Sequence, residues 1–300
     1  MDSSADKRET AHFPNAAKMS WYPGHMRKAL REIEKKLPLF DVVIEVVDAR
    51  VPQSSRNRNI TNVIGQKARL LVLVKSDLAD ASVTSAWRRY FPDHGFPCLA
   101  THHRDRTATG KLIAQIRDIE AADRSRRGAR HPRLRPLRAM VVGVPNVGKS
   151  SLINQLVRRR RTKTGPRPGV TRHQSWIVLD EGLELLDTPG VMYPRVTDAQ
   201  TGLNLGLIAA LKDELIGEEA LADYLCYRLN VQNLDAFRNF YKLDGRPANG
   251  DELLTGVGRR RRLLRPGGEV DRRTAAKVLL QDFREGRLGR FSLERPEDEA

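Results

Sequence analysis

Apolar positions along the chain fall into short β-branched runs that alternate with stretches of helical spacing. Asp41 to Val47 predicts a buried strand ending in Asp48, and Arg69 to Val74 predicts a second. Between and around them lie helical patterns. Arg27 to Lys36 is a short basic helix with Leu30, Ile33 and Leu37 on one side, and Ser82 to Tyr90 is a helix stopped by Pro92. Pro97 to Ala100 reads as a short strand, and Lys111 to Ala122 as a helix through Leu112, Ile116 and Ile119. An Arg-rich linker, 123–138, carries Gly128, Pro132 and Pro136. Arg138 to Val142 is a further strand, followed by a Gly-rich turn and a helix from Lys149. Ser175 to Leu179 and Leu183 to Leu186 are strands joined at Glu181-Gly182. Strands alternating with helices predict an α/β fold, a mainly parallel sheet flanked by helices.

The pattern changes after Pro194. From Gly202 onward only helical spacings recur: Leu221, Leu225 and Leu229 repeat every fourth residue, and Ala275, Val278, Leu279 and Phe283 form an apolar arc. Leu280 and Asp282 break that arc, and Gly286 ends the helix. The expected organisation is a flexible extension over 1–19, an α/β domain over 20–194 and a small all-α domain over 195–300.

Composition narrows the class. The 300 residues suffice for two domains with real cores, and aromatics at 6% leave the core to aliphatic side chains. No apolar run exceeds the five residues of Leu70 to Val74, far too few for a bilayer span, so no membrane association is expected. The mixed-charge N-terminus is unlike a secretory or transit peptide. Two cysteines, Cys98 and Cys226, cannot build a disulfide framework or a four-cysteine zinc site. A cytoplasmic location is the expectation. The net charge of +16 is concentrated: residues 101–172 carry 19 basic and 4 acidic side chains, and 255–290 carry 11 against 4. Blocks of one sign point to a polyanionic partner, nucleic acid first.

The chemistry is carried by Gly143-Val144-Pro145-Asn146-Val147-Gly148-Lys149-Ser150, a complete G-x-x-x-x-G-K-S phosphate loop between a strand and a helix. Its backbone N–H groups and the helix N-terminus cradle phosphate, so Asn146, Val147, Gly148, Lys149, Ser150 and Ser151 are the expected contacts. Lys149 reaches the β- and γ-phosphates, and the Ser150 hydroxyl ligates Mg²⁺. Downstream, Asp187-Thr188-Pro189-Gly190 closes a strand; Asp187 is placed for the Mg²⁺ shell and Gly190 for the γ-phosphate. Between them, Thr171 in Pro168-Gly169-Val170-Thr171-Arg172 is a switch-loop candidate for Mg²⁺ and γ-phosphate.

No N-K-x-D follows Gly190. Upstream, the strand ending at Val74 runs into Lys75-Ser76-Asp77. The Asp77 carboxylate can accept from N1–H and the 2-amino group of guanine, and Lys75 can lie over the base. Ala100 and Thr101 at the next strand end offer backbone contacts. Val74 stands where Asn is usual, which removes an amide worth about 1–3 kcal/mol of nucleotide affinity.

Base recognition thus precedes the phosphate loop, a rotated order of G-domain parts. In this order, and in Trp21-Tyr22-Pro23-Gly24-His25-Met26, Asp48-Ala49-Arg50-Val51-Pro52, Asp187-Thr188-Pro189-Gly190-Val191 and Asp282-Phe283-Arg284-Glu285-Gly286-Arg287-Leu288-Gly289-Arg290-Phe291, the chain resembles the ribosome biogenesis GTPase A family of circularly permuted GTPases over roughly residues 20–293. The resemblance implies GTP binding and hydrolysis in late assembly of the large ribosomal subunit, with RNA contact through the helical domain. Its partners would be GTP or GDP and the subunit precursor, rRNA and ribosomal proteins, met by a monomer. It also supplies His25 as the water-positioning residue, because Val191 replaces the glutamine found in many GTPases. Asn146 suits a bound K⁺, a second possible cofactor beside Mg²⁺. Arg259, Arg260, Arg261 and Arg262, with Arg273, Lys277 and Arg284 on one side of the following helix, are the RNA-phosphate candidates. Two other readings stand beside this one: an RNA-binding assembly scaffold whose nucleotide site is weakened by Val74, and another P-loop enzyme, which the rotated order disfavours.

Overall fold

The structure, a computed structural model, describes residues 31–128, 135–164, 177–180, 182–187, 198–232 and 235–299. Among these, 31–187 together with 294–299 form one compact unit, and 198–293 form the other.

In the first unit Val42–Asp48 (β1), Ala68–Val74 (β2), Cys98–Ala100 (β3), Leu137–Val142 (β4), Ile177–Asp180 (β5) and Leu183–Asp187 (β6) make one sheet in the order β3-β2-β1-β4-β6-β5. All neighbouring pairs are parallel except β5–β6. β1 and β2 are buried at every position, which is why they read as near-continuous apolar runs rather than alternating ones.

The helices are Arg58–Ile64 (α1), Ala81–Asp93 (α2), Ala108–Arg126 (α3) and Lys149–Thr164 (α4). On one sheet face, Ile60 and Ile64 of α1 pack with Val43, Met140 and Leu186, while Val83, Trp87 and Phe91 of α2 pack with Val47, Leu71 and Leu73. Between these clusters lies Glu45, 1% exposed, with Arg69 at 3.6 Å and Arg56 at 4.0 Å. Burial pushes this carboxyl above its ordinary range, and the two guanidinium groups only partly offset that.

Two expectations change in this unit. Pro92 does not stop α2 but sits in its last turn, where a missing N–H removes little of the helix ladder. α3 extends past Ala122 to Arg126, its last turn stabilised by Arg124 and Arg126 against the helix dipole, so the linker is shorter than 123–138. α1 is not among the predicted elements: its three apolar residues, Ile60, Val63 and Ile64, span little more than one turn, too short for a periodicity to be read from the chain.

The second unit holds Ala199–Leu207 (α5), Asp213–Ile216 (α6), Glu218–Val231 (α7), Ala236–Tyr241 (α8), Gly250–Arg260 (α9) and Arg272–Arg284 (α10). α7, α9 and α10 pack on one another, and Leu221, Leu225 and Leu229 are all buried. Leu280 and Asp282 do not break the arc of α10 outward; both are buried. Asp282 accepts from Tyr241 Oη at 2.6 Å, Arg261 Nη2 at 2.9 Å and Arg287 Nη1 at 2.6 Å, which ties three segments to one carboxylate.

The helical unit ends at Leu293, not at residue 300. Glu294 belongs to the first unit. Its carboxylate accepts the N–H groups of Gln53 at 2.7 Å and Ser54 at 3.0 Å and the Ser54 hydroxyl, and Trp87 Nε1 donates to its carbonyl at 3.2 Å.

Candidate nucleotide site

A parallel sheet presents its ligand-binding loops at the carboxyl ends of the strands. Here β2 delivers Lys75, Ser76 and Asp77, β3 delivers Thr101 to His103, and β4 delivers the phosphate loop. The sheet order puts β1 between β2 and β4, so the two motif-bearing strands are separated by one strand only.

The phosphate loop has the geometry its glycines allow. Gly143 has φ +157°, and a Cβ there would lie 2.5 Å from the Val46 carbonyl oxygen. Gly148 has φ +122°, and a Cβ would meet Val74 Cγ2 at 3.3 Å. Lys149 is buried and donates to the carbonyls of Gly143 at 3.2 Å and Val144 at 2.9 Å, folding back over its own loop. Ser150 and Ser151 follow on the exposed first turn of α4, and Val147 is buried. Gln155 of the same helix donates to the Asp105 carbonyl at 2.7 Å, which fastens α4 to the loop after β3.

The loop carrying Lys75, Ser76 and Asp77 is fastened to the phosphate loop. Lys75 Nζ donates to the Asn146 carbonyl at 3.2 Å and pairs with Asp48 Oδ2 at 3.0 Å. Both Lys75 and Asn146 have left-handed backbones, at φ 56° and 54°. Such conformations disfavour residues with a Cβ and persist where surrounding contacts enforce them. Ser76 N–H donates to the Thr101 carbonyl at 3.1 Å, and Thr101 N–H to the Leu73 carbonyl at 2.8 Å, so the Ala100–Thr101 strand end lies beside the base loop. Asp77 Oδ1 is buried and accepts no hydrogen bond from a described residue. Its Oδ2 faces His103 Nδ1 at 3.8 Å. A buried acceptor with no donor is the chemistry that the N1–H and 2-amino donors of guanine satisfy.

The structure thus brings Lys75, Ser76, Asp77, Thr101 and the phosphate loop together. Asp187 ends β6, its backbone in register with Val141 two residues before the phosphate loop. His25, Thr171 and Gly190 lie outside the described residues, as do the side chains of Arg158 to Lys163. Sequence reasoning missed the roles of Asp48 and Gln155. The available signal for Asp48 was an acid closing an otherwise apolar strand.

The arginine candidates divide. Arg273 and Lys277 both pair with Glu218, at 3.1 and 3.6 Å, and Arg284 is bound to Asp213 at 2.6 and 2.8 Å and to the Gly206 and Leu207 carbonyls. Arg260 donates to the Lys242 carbonyl and Arg261 to Asp282. These five are engaged within the helical unit, contrary to a row of arginines offered jointly to phosphate. Arg259 and Arg262 are exposed, and their guanidinium groups have no partner among the described residues.

Known proteins resemble this chain along most of its length. A family described as 50S ribosome-binding GTPase matches residues 138–242. Ribosome biogenesis GTPase A of Bacillus licheniformis is 38% identical over 280 residues, covering 93% of this chain and 99% of that protein. Mouse mitochondrial ribosome-associated GTPase 1 is 36% identical, covering 92% of this chain and 90% of its own. The crystal structure of GNP-bound YlqF from T. maritima matches with a TM-score of 0.64 at 28% identity, over 90% of this chain and 99% of that one. With the Lys75–Asp77 loop fastened to a phosphate loop that follows it in the chain, and relatives matched along nearly their whole length, the chain belongs to the ribosome biogenesis GTPase A family.

Proposed function

We propose that this protein binds GTP across the loops after β2 and β4 and hydrolyses it during late assembly of the large ribosomal subunit. The observation that carries the reading is the Lys75 bridge to Asn146, which makes one site from motifs 71 positions apart. Asp77 selects guanine, Lys75 covers the base, and Lys149 exchanges its loop carbonyls for the β- and γ-phosphates. That exchange is conservative, since one set of oxygen acceptors replaces another.

Ser150 is the second residue of α4 and the Asp187 backbone ends β6, both beside the phosphate loop, the Asp187 side chain lying outside the described residues. A hydroxyl and a carboxylate suit a hard divalent cation. Ser150, Thr171 and Asp187 would hold Mg²⁺, which neutralises phosphate charge when bound; Asn146 would hold K⁺. Val191 cannot orient water, so His25 takes that role when the subunit precursor is bound. Arg259 and Arg262 are the arginines available for rRNA phosphates. The protein works as a cytoplasmic monomer. Among the described residues, no helix is long and apolar enough to cross a membrane.

The scaffold reading loses its motive here. Val74 removes an amide, yet it packs on Gly148, and Lys75 supplies the polar tie between the loops. Titration with GTP, GDP and ATP tests the reading, followed by turnover with and without large-subunit particles. Guanine nucleotides should bind far more tightly than ATP, and particles should accelerate hydrolysis. Equal affinity for ATP, or turnover unmoved by particles, refutes it.

A further inference from the structure

Asp48 has no part in the nucleotide chemistry described so far, yet it is among the most fully buried charges in the molecule, at 0% exposure. It closes β1, level with Val74 of β2. Its Oδ1 accepts from Arg50 N–H at 3.1 Å and Arg50 Nε at 2.9 Å, and its Oδ2 from Arg50 Nη2 at 2.9 Å and Lys75 Nζ at 3.0 Å. The carboxylate is therefore shared between an arginine that neutralises it and the lysine of the base-recognition loop.

We propose that Asp48 is a positioning residue of the nucleotide site, holding Lys75 in the one place from which it can both reach the Asn146 carbonyl and cover the base. Three observations carry this. A lysine ammonium on a flexible stem has no fixed location of its own, and the side chain loses rotamer freedom when it is ordered. Asp48 and the Asn146 carbonyl are the two acceptors that fix it. The Lys75 backbone is left-handed at φ 56°, a conformation that needs external support. Val74, in place of the usual Asn, packs on Gly148 without a hydrogen bond between the loops, so the Asp48–Lys75–Asn146 bridge supplies the polar link.

Asp48 is itself held from behind. Its N–H donates to Ser55 Oγ at 3.0 Å, Ser55 Oγ donates to the Val51 carbonyl at 2.6 Å, and Ala49 N–H donates to the Val74 carbonyl at 2.9 Å. The far side of this loop is capped by the Glu294 carboxylate on Gln53 and Ser54. A carboxylate so constrained can position a neighbour without touching the nucleotide.

The inference rests on the guanine-nucleotide reading, and one experiment separates the two. GDP and ADP affinities are measured by calorimetry for the wild type, Asp48→Asn, Lys75→Ala and the double variant, with melting temperatures alongside. Wild-type preference for GDP tests the reading. Asp48→Asn should weaken GDP binding by about ten-fold, and the same change made on Lys75→Ala should cost nothing further, because interacting residues are not additive. A general structural role would lower the melting temperature in both backgrounds without that dependence on Lys75. If Asp48→Asn leaves Arg50 an uncompensated buried cation and does not fold, Asp48→Asn/Arg50→Met removes both charges and takes its place in the cycle. Unchanged GDP affinity, or equal losses with and without Lys75, overturns the role of Asp48 and leaves the nucleotide reading intact. Failure of the wild type to prefer GDP overturns both.

Discussion

Replacing Asp77 by Asn changes one atom and should invert the base preference. In the structure Asp77 Oδ1 is buried with no donor among the described residues, and Oδ2 lies 3.8 Å from His103 Nδ1. Bound guanine would give it two donors, N1–H and the 2-amino group, each a hydrogen bond to a charged acceptor. Asn keeps one acceptor and turns the other into an NH₂ group. One charge-assisted bond is lost, at about 1.5–3 kcal/mol, and a donor is left facing a donor in a buried place, at about 1–3 kcal/mol. The sum is about 3–6 kcal/mol, or roughly 10²–10⁴-fold in GDP affinity. Xanthine carries a carbonyl at position 2 and accepts from the new NH₂, so xanthosine diphosphate should become the better ligand. Calorimetric titration of both proteins with GDP, xanthosine diphosphate and ADP checks this. A loss of GDP affinity below ten-fold, or no gain for the xanthine nucleotide, would mean that Asp77 does not read the base.

Lys149→Ala and Ser150→Ala should abolish GTP turnover in single-turnover assays while the far-ultraviolet circular dichroism stays native. His25→Ala should leave GTP affinity near wild type and lower the particle-stimulated rate, the pattern of a group acting in the transition state; an unchanged stimulated rate removes it from the mechanism. Glu45, with its carboxyl raised by burial, contributes stability that is full below its unfolded value of about 4.3 and is lost as pH rises through its folded value. Urea unfolding of the wild type from pH 4.5 upward should therefore show a falling contribution that Glu45→Gln flattens, and an identical pH slope in the two proteins refutes the assignment. Arg284→Met should lower stability by roughly 1–3 kcal/mol through its lost bonds to Asp213 and two carbonyls. Arg259→Ala and Arg262→Ala should leave stability within about 0.5 kcal/mol and lower the salt dependence of rRNA binding by about one phosphate contact each.

Local signals in the chain were enough for much of this. The phosphate loop was legible because its glycines, lysine and serine meet a chemical demand at fixed spacing. The rotated order of motifs was legible because order along the chain is sequence itself. β1, β2 and β4 were legible because a strand buried on both faces leaves a near-continuous apolar run. What the chain could not express was pairing across distance. Nothing local distinguishes Asp48 as the acceptor that fixes Lys75, since the two meet only when β1 and β2 lie side by side in register. Arg259 and Arg284 look alike as arginines; packing of α10 against the segment from Gly206 to Asp213 is what commits Arg284 to the interior and leaves Arg259 exposed. Asp282 reads as an interruption of an apolar arc until Tyr241, Arg261 and Arg287 are brought around it. Glu294, near the end of the chain, joins the first unit because its carboxylate satisfies two backbone donors some 240 residues earlier. Residue type and spacing determine which chemistry is available to this protein; tertiary packing decides which of its charges are used to hold the fold and which remain for the ligand, because the cost of burying a charge depends on the partners that surround it.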